Sequence, residues 1–257
     1  AQELYPAGSV VLHGIKGFSG QRIDEAILQA SAVMQQVGGP MSSTFDQIIK
    51  GKSEMLPKVE SVVYEDEMGL VAWVGGQRVL LGNRRLLEEH GIMPPSRDYE
   101  RQYKKDGRQL TYLATAGELV AMFVLSYTPN EEMAAQMRAL EDHGVSFLVR
   151  TVDPNVTAKM VCEHFGVFFR SVKIMQEEHA QLYAEATQPT APRVRAYLAT
   201  KGACRPFLRM LAACMRIRSN VSLSLVLQAV GVVLGILLVL LLVAFSGLGQ
   251  LGALEMA

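Results

Sequence analysis

The sequence predicts an α/β protein in three parts. A mixed antiparallel-sheet unit occupies residues 1–124, a partial parallel α/β unit 125–200, and a basic helix leading into a transmembrane helix 201–257. Three observations predict this. Residues 59–127 carry β-branched runs broken by Gly75–Gly76 and Ala116–Gly117, the pattern of hairpins. From residue 130 the pattern becomes helix, apolar strand, helix, strand, which implies part of a doubly wound parallel sheet. Residues 221–245 then contain no charge at all.

In chain order, SVVLHGIKGF (9–18) reads as a strand, bounded by Gly17 and a Ser19–Gly20 turn. IDEAILQASAVMQQV (23–37) repeats apolar residues at helical spacing and stops at Gly38–Gly39–Pro40. SSTFDQIIKG (42–51) predicts a second helix capped by Ser42 or Ser43. The stretch 59–83 predicts strands around the Gly75–Gly76 turn, and RRLLEEHGI (84–92) a short helix closed by Gly91 before Pro94–Pro95. Two further strands fill 109–127. NEEMAAQMRALEDHG (130–144) is an amphipathic helix with Gly144 as its C-cap. VSFLV (145–149) is a continuous apolar run of the kind buried in parallel sheets. NVTAKMVCEHFG (155–166) predicts a helix, VFFRSV (167–172) a strand, and TQPTAP (187–192) a loop. Residues 194–220 form a basic, mostly helical approach to the apolar run.

Composition narrows the function. The chain has 25 basic and 25 acidic residues, so it lacks the basic footprint of a nucleic-acid binder. Cys162, Cys204 and Cys214 form no CxxC pair, and His13, His90, His143, His164 and His179 show no ligand spacing. Neither a disulfide framework nor a metal site is predicted, which suits reduced thiols in a cytosolic compartment. No GxSxG is present to form a hydrolase nucleophile elbow.

The apolar run VSLSLVLQAVGVVLGILLVLLLVAF (221–245) has only Ser222, Ser224 and Gln228 as polar interruptions, and its last 17 residues have none. About 20 such residues cross a bilayer core. Lys201, Arg205, Arg209, Arg216 and Arg218 crowd its N-terminal side and nothing basic follows, which puts residues 1–218 in the cytoplasm. The expected partners are the lipid bilayer and other transmembrane segments of the same parent protein. Ala1 in place of Met, and the small-residue tail at 247–257, suggest a fragment cut at both ends.

Four short stretches carry a resemblance: VGGP (37–40), EMGLVA (67–72), GQRVLLGNRRLLEEHGI (76–92) and TVDPNVTA (151–158). In this order they resemble the large cytoplasmic segment of a P-type cation-transporting ATPase of the heavy-metal subgroup. The likeness runs over nearly the whole chain and is best at 69–166. It implies a nucleotide-binding domain inserted into a haloacid-dehalogenase-type phosphorylation domain, followed by transmembrane helices.

The resemblance implies a nucleotide contact for Gly69, Gly82 and Asn83, although Asn83 reads equally well as the N-cap of the helix that follows. Of the family's GxGxxG, only Gly69 remains, with Glu67 and Ala72 in the other glycine positions. Gly39 stands where the family has an adenine-contacting His, so ATP is implied only as a weakly held ligand. In the phosphate loop Thr151, Asp153, Thr157 and Ala158 match, while Val152 replaces Gly and Pro154 replaces Asn. Thr151 and Asp153 would position phosphate in a working enzyme; in the plain structural reading, Asp153 or Asn155 caps the helix. Tyr127 and Asn130 stand where the family has Asp and Arg.

Mg²⁺ is implied only where the family chemistry survives, because it needs carboxylate oxygens. The family supplies them from an Asp-rich loop downstream, and this chain has no Asp after Asp153. The expectation is a membrane-anchored module whose phosphoryl-transfer chemistry is largely lost, acting by interaction or regulation in transport. The alternative is a fragment of an active ATP-driven heavy-metal transporter. A soluble dehalogenase-class phosphatase is a third reading, opposed by the membrane helix.

Overall fold

The computed structural model describes residues 1–18, 23–50, 53–186, 188 and 204–244. The chain divides into two compact units, Ala1–Leu208 and Arg209–Ala257. The Ser19–Gly20 turn, most of the 187–192 loop, residues 194–203 and the 247–257 tail lie outside the described residues.

The first unit is built on a six-stranded antiparallel sheet of β1 (Val10–Gly17), β2 (Val59–Glu65), β3 (Gly69–Val74), β4 (Gln77–Gly82), β5 (Gln109–Thr115) and β6 (Glu118–Tyr127). The spatial order is β1-β6-β5-β4-β3-β2. Gly75 and Gly76 turn the β3–β4 hairpin at φ 57° and 75°, a left-handed geometry that suits glycine and matches strand twist. A second tight turn, at 66–68, separates β2 from β3 with Glu67 at φ 58°. In EDEM only Asp66 is a turn-favouring type, and no Gly or Asn supplies the positive φ that Glu67 adopts.

Helices cover both faces of this sheet. Helices α1 (Ile23–Val37) and α2 (Ser42–Ile49) bury Val33, Met34 and Phe45 against Leu81, Leu113 and Phe123. Helix α3 (Arg84–Glu89) buries Leu86 and Leu87 against Leu80, Tyr112 and Met122 on the opposite face, and Tyr99 and Tyr103 of α4 (Arg97–Tyr103) pack against the same cluster. Alternate residues of β4, β5 and β6 therefore serve different cores, and consecutive residues such as Val79–Leu81 and Ala121–Leu125 are buried.

The sheet runs on through residues 124–125 into α5 (Glu131–Glu141), β7 (Phe147–Val149), α6 (Ala158–Phe165), β8 (Val172–Ile174) and α7 (Ala180–Ala186). Strands β7 and β8 pair in parallel. Phe45 and Phe123 share one hydrophobic cluster with Met137, Val161, Phe165 and Val172, so one core runs from the antiparallel sheet into the parallel pair.

Several local expectations need correction. Strand β7 is not a buried central strand: Val149 is buried but Leu148 is 56% exposed, because a two-stranded sheet covers only one face. VFFRSV is mostly not strand; Phe169–Ser171 forms a 3₁₀ turn and β8 starts at Val172. Neither Ser42 nor Ser43 caps α2, whose N-cap is Met41 without a side-chain bond. Ser43 Oγ instead donates to Pro40 O at 3.4 Å and accepts from Gly8 N at 3.3 Å. Helix α5 ends with Asp142 as its cap, two residues before Gly144.

In the C-terminal part, α8 (Cys204–Ala244) is one continuous helix of 41 residues, long and apolar enough to cross a membrane. Its uncharged part, 221–244, is about 36 Å long at 1.5 Å per residue. The fold class is thus as expected: an antiparallel-sheet unit, a small parallel sheet and a long apolar helix.

Candidate functional site

The expected nucleotide residues sit where β3 begins and β4 ends. Gly69 and Gly82 are register partners. A Cβ on Gly69 would fall 2.5 Å from Gly82 Cα, and one on Gly82 would collide with Met68 O and lie 2.6 Å from Leu86 Cδ2. Each glycine is therefore required by the other and by the turn above them. Asn83 is the N-cap of α3: its Oδ1 accepts from Arg85 N at 2.9 Å and Leu86 N at 3.4 Å. Its Nδ2 donates to Glu67 O at 2.6 Å, holding the 66–68 turn. Both ends of the amide are engaged in structure.

The residues expected to form a phosphate loop make a closed hydrogen-bond network. Asp153 is fully buried, with Thr151 and Asn155 each 7% exposed. Asp153 Oδ2 accepts from the Tyr127 hydroxyl at 2.8 Å and Oδ1 from Asn155 N at 2.9 Å. Thr151 Oγ1 accepts from Asp153 N at 3.0 Å. Asn155 Nδ2 donates to Thr111 Oγ1 at 2.7 Å and to Tyr127 Oη at 3.1 Å. The cap of α6 is Thr157, which accepts from Met160 N at 3.2 Å. The plain reading of Asp153 or Asn155 as that cap is therefore corrected: Asp153 closes a turn two residues earlier.

Burial sets the protonation of this network. The Asp153 carboxyl is pushed up to about 6 by loss of solvent, even though the Asn155 amide and Tyr127 hydroxyl pull it back. Tyr127 is raised well above its ordinary value by burial and then by the Asp153 charge, so it stays protonated and donates. Tyr5 packs edge-on to Tyr127 with centroids 5.5 Å apart and bonds His164 Nδ1 at 3.0 Å. Burial lowers the His164 pKa.

Val152 lies near the 38–40 turn. A Cβ on Gly39 would be 3.5 Å from Val152 Cγ2, an ordinary contact. The position expected to hold the base and the loop expected to hold the phosphate therefore lie side by side. The residues present do not fit a Mg²⁺ ion: the Asp153 carboxylate is buried with both oxygens accepting internal bonds. Among the described residues, no group of three or more His, Cys, Asp or Glu could hold a metal ion.

A cavity of about 330 Å³ does open on the α3 and α4 side of the sheet, and Asn83, Asn155 and Thr157 all reach it. Gly69, Gly82, Thr151 and Asp153 do not line it. Below it Glu100, 4% exposed, accepts from Tyr112 Oη at 2.5 Å, Arg84 Nη1 at 2.7 Å and Lys104 Nζ at 3.3 Å. Desolvation pushes the Glu100 carboxyl up, but these donors outweigh it and hold the pKa below the ordinary value. Sequence reasoning missed Thr111, Glu100 and Tyr112. The available signal was a hydroxyl residue in the middle of a strand, as Thr111 is in QLTYLAT.

No protein-family model matches the chain. The copper-exporting P-type ATPase of Legionella pneumophila is 26% identical over 163 residues, covering 63% of this chain and 22% of that protein. The copper-exporting P-type ATPase of Bacillus subtilis is 21% identical over 165 residues, covering 62% of this chain and 20% of that protein. The chain thus spans about a fifth of the length of the curated relatives it matches. Among solved structures, the N-domain of HMA6, a copper-transporting P-type ATPase, aligns at 18% identity and a TM-score of 0.37, over 46% of this chain and all of that one. A zinc-transporting PIB-type ATPase aligns at 19% identity and a TM-score of 0.40, over 73% of this chain and 30% of the other.

Proposed function

We propose that this chain, which is heavy-metal P-type-ATPase-like in sequence, is a membrane-anchored module that has lost phosphoryl transfer and serves transport by interaction or regulation. The observation that carries this reading is the internal satisfaction of Asp153. Phosphoryl transfer depends on donors and a metal facing open space where charge develops. Here both Asp153 oxygens accept bonds from Tyr127 and Asn155 inside the core, and the Thr151 hydroxyl faces the Asp153 amide. Tyr127, where the resemblance places an Asp, supplies a protonated phenol in place of a carboxylate. In this reading α8 crosses the bilayer over 221–244, residues 1–218 are cytoplasmic, and other transmembrane segments of the parent pack beside the span.

The second reading is a fragment of an active ATP-driven heavy-metal transporter. It is favoured by the similarity to copper-exporting ATPases and by the retained Thr151, Asp153, Thr157 and Ala158. Phosphoenzyme formation separates the two. Membranes carrying the intact protein are incubated with radiolabelled ATP and Mg²⁺, with and without vanadate. The expected result is no label above that of an Asp153→Asn variant. Vanadate-sensitive label that this variant abolishes overturns the proposal.

A further inference from the structure

We infer that the N-terminal part of α8 selects anionic phospholipid, with Arg209, Arg216 and Arg218 as the groups that hold its headgroups in one leaflet. This rests on the reading of 221–244 as a membrane span. Between Glu185 and Glu255 the chain has no acidic residue and seven basic ones, the last of them Arg218. Arg205 is already engaged, its Nη1 lying 2.6 Å from Glu132 Oε2. Among the described residues no carboxylate pairs with Arg209, Arg216 or Arg218, and all three are exposed.

The helix sets their depth. All three lie on the one continuous helix that carries the span. At 1.5 Å per residue, Arg218 sits about 4.5 Å and Arg216 about 7.5 Å along the axis from Val221. The headgroup layer on each side of a bilayer core is roughly 5–7 Å thick. The span therefore carries both guanidinium groups at headgroup depth. Arg209 lies two turns above Arg216 on the same face, about 10 Å farther out and still within about one Debye length of the surface. Arg218 is turned about 200° from Arg216, so charge faces lipid on both sides of the helix.

Trp and Tyr commonly anchor a spanning helix at the interface. Helix α8 has neither, and Phe207 is its single aromatic residue. The arginines are thus the polar anchors at this end. A guanidinium forks onto two phosphate oxygens, which any phospholipid offers. In phosphatidylcholine the choline cancels the phosphate charge; in phosphatidylglycerol the charge stands whole. With no carboxylate on this part of the chain to neutralise the arginines, the anionic lipid is the better partner. No basic residue follows Arg218 in this chain, so the opposite end of the span offers no such selection.

The test uses the full chain and a triple variant, R209Q/R216Q/R218Q, in vesicles of equal parts phosphatidylcholine and phosphatidylglycerol. Both are extracted in mild detergent, and the lipids that stay bound are counted by native mass spectrometry. Expected is enrichment of phosphatidylglycerol on the wild type, about fivefold for each contributing arginine, and the bulk lipid ratio on the triple variant. R209K/R216K/R218K should keep most of the enrichment, because the charge remains. Alkaline carbonate washing of vesicles made of phosphatidylcholine alone tests the span separately, and wild type and variant should both stay in the membrane. Release of the wild type there overturns the membrane reading and this inference together. Retention with equal lipid ratios on wild type and triple variant overturns the inference alone. So does displacement of the bound phosphatidylglycerol by inorganic phosphate, which would mark a site for a soluble anion.

Discussion

The Tyr127 hydroxyl reaches Asp153 Oδ2 across 2.8 Å, joining the end of β6 to the loop before α6 inside the core. Removing that phenol leaves a buried carboxylate short of a donor. Tyr127→Phe is expected to cost about 1–3 kcal/mol. Denaturant unfolding of the detergent-solubilised chain at neutral pH measures it. The cost should shrink in an Asp153→Asn background, because the group left unpaired is then neutral; equal costs in both backgrounds would dissolve the link.

The same carboxylate makes stability depend on pH in an unusual direction. Its folded pKa of about 6 lies above the ordinary 3.8, so between those values the folded state holds more protons than the unfolded state. Stability must then fall as pH rises from about 4 to 6, by roughly 3 kcal/mol from this group, and level off above. Unfolding curves at stepped pH, wild type against Asp153→Asn, should show that slope vanish in the variant. Glu100 works oppositely: its lowered pKa contributes stability above its ordinary 4.5 that is lost as pH falls further.

Gly82→Ala is expected to destabilise by about 2–4 kcal/mol, since the new methyl meets the Met68 carbonyl and the Gly69 backbone, neither of which can rotate away. Gly14→Ala on β1 is the control. A Cβ there meets nothing within 4 Å, and the change should stay within about 0.5 kcal/mol. Thermal melting of the two variants side by side gives the comparison.

Asn83→Ala should cost about 1 kcal/mol through the lost cap of α3, with ligand absent. Asn83→Asp keeps the accepting oxygen but loses the Nδ2 donor to Glu67 O, and should fall between alanine and wild type. An alanine variant with wild-type stability would show that the side chain serves only a ligand.

What was legible in the sequence was what local chemistry decides. Helix α1 follows from its apolar spacing and its Gly-Gly-Pro stop, and the turns at 75–76 and 116–117 from glycine. Strand β7 was misjudged because the exposure of Leu148 depends on how many strands lie beside it, which VSFLV cannot reveal. In the site, Asn83 showed two readings and the structure engages it as a cap. Thr111 was invisible because its partner Asn155 lies 44 residues away. Thr157 won the α6 cap because Asp153 faces inward, drawn by Tyr127, a contact no local rule contains.

Because Phe45, Phe123, Phe165 and Val172 belong to one apolar cluster, no seam separates the antiparallel sheet from the parallel pair. Heating should therefore dismantle both together, as a single calorimetric peak from Ala1–Leu208, and a protease should release no surviving half.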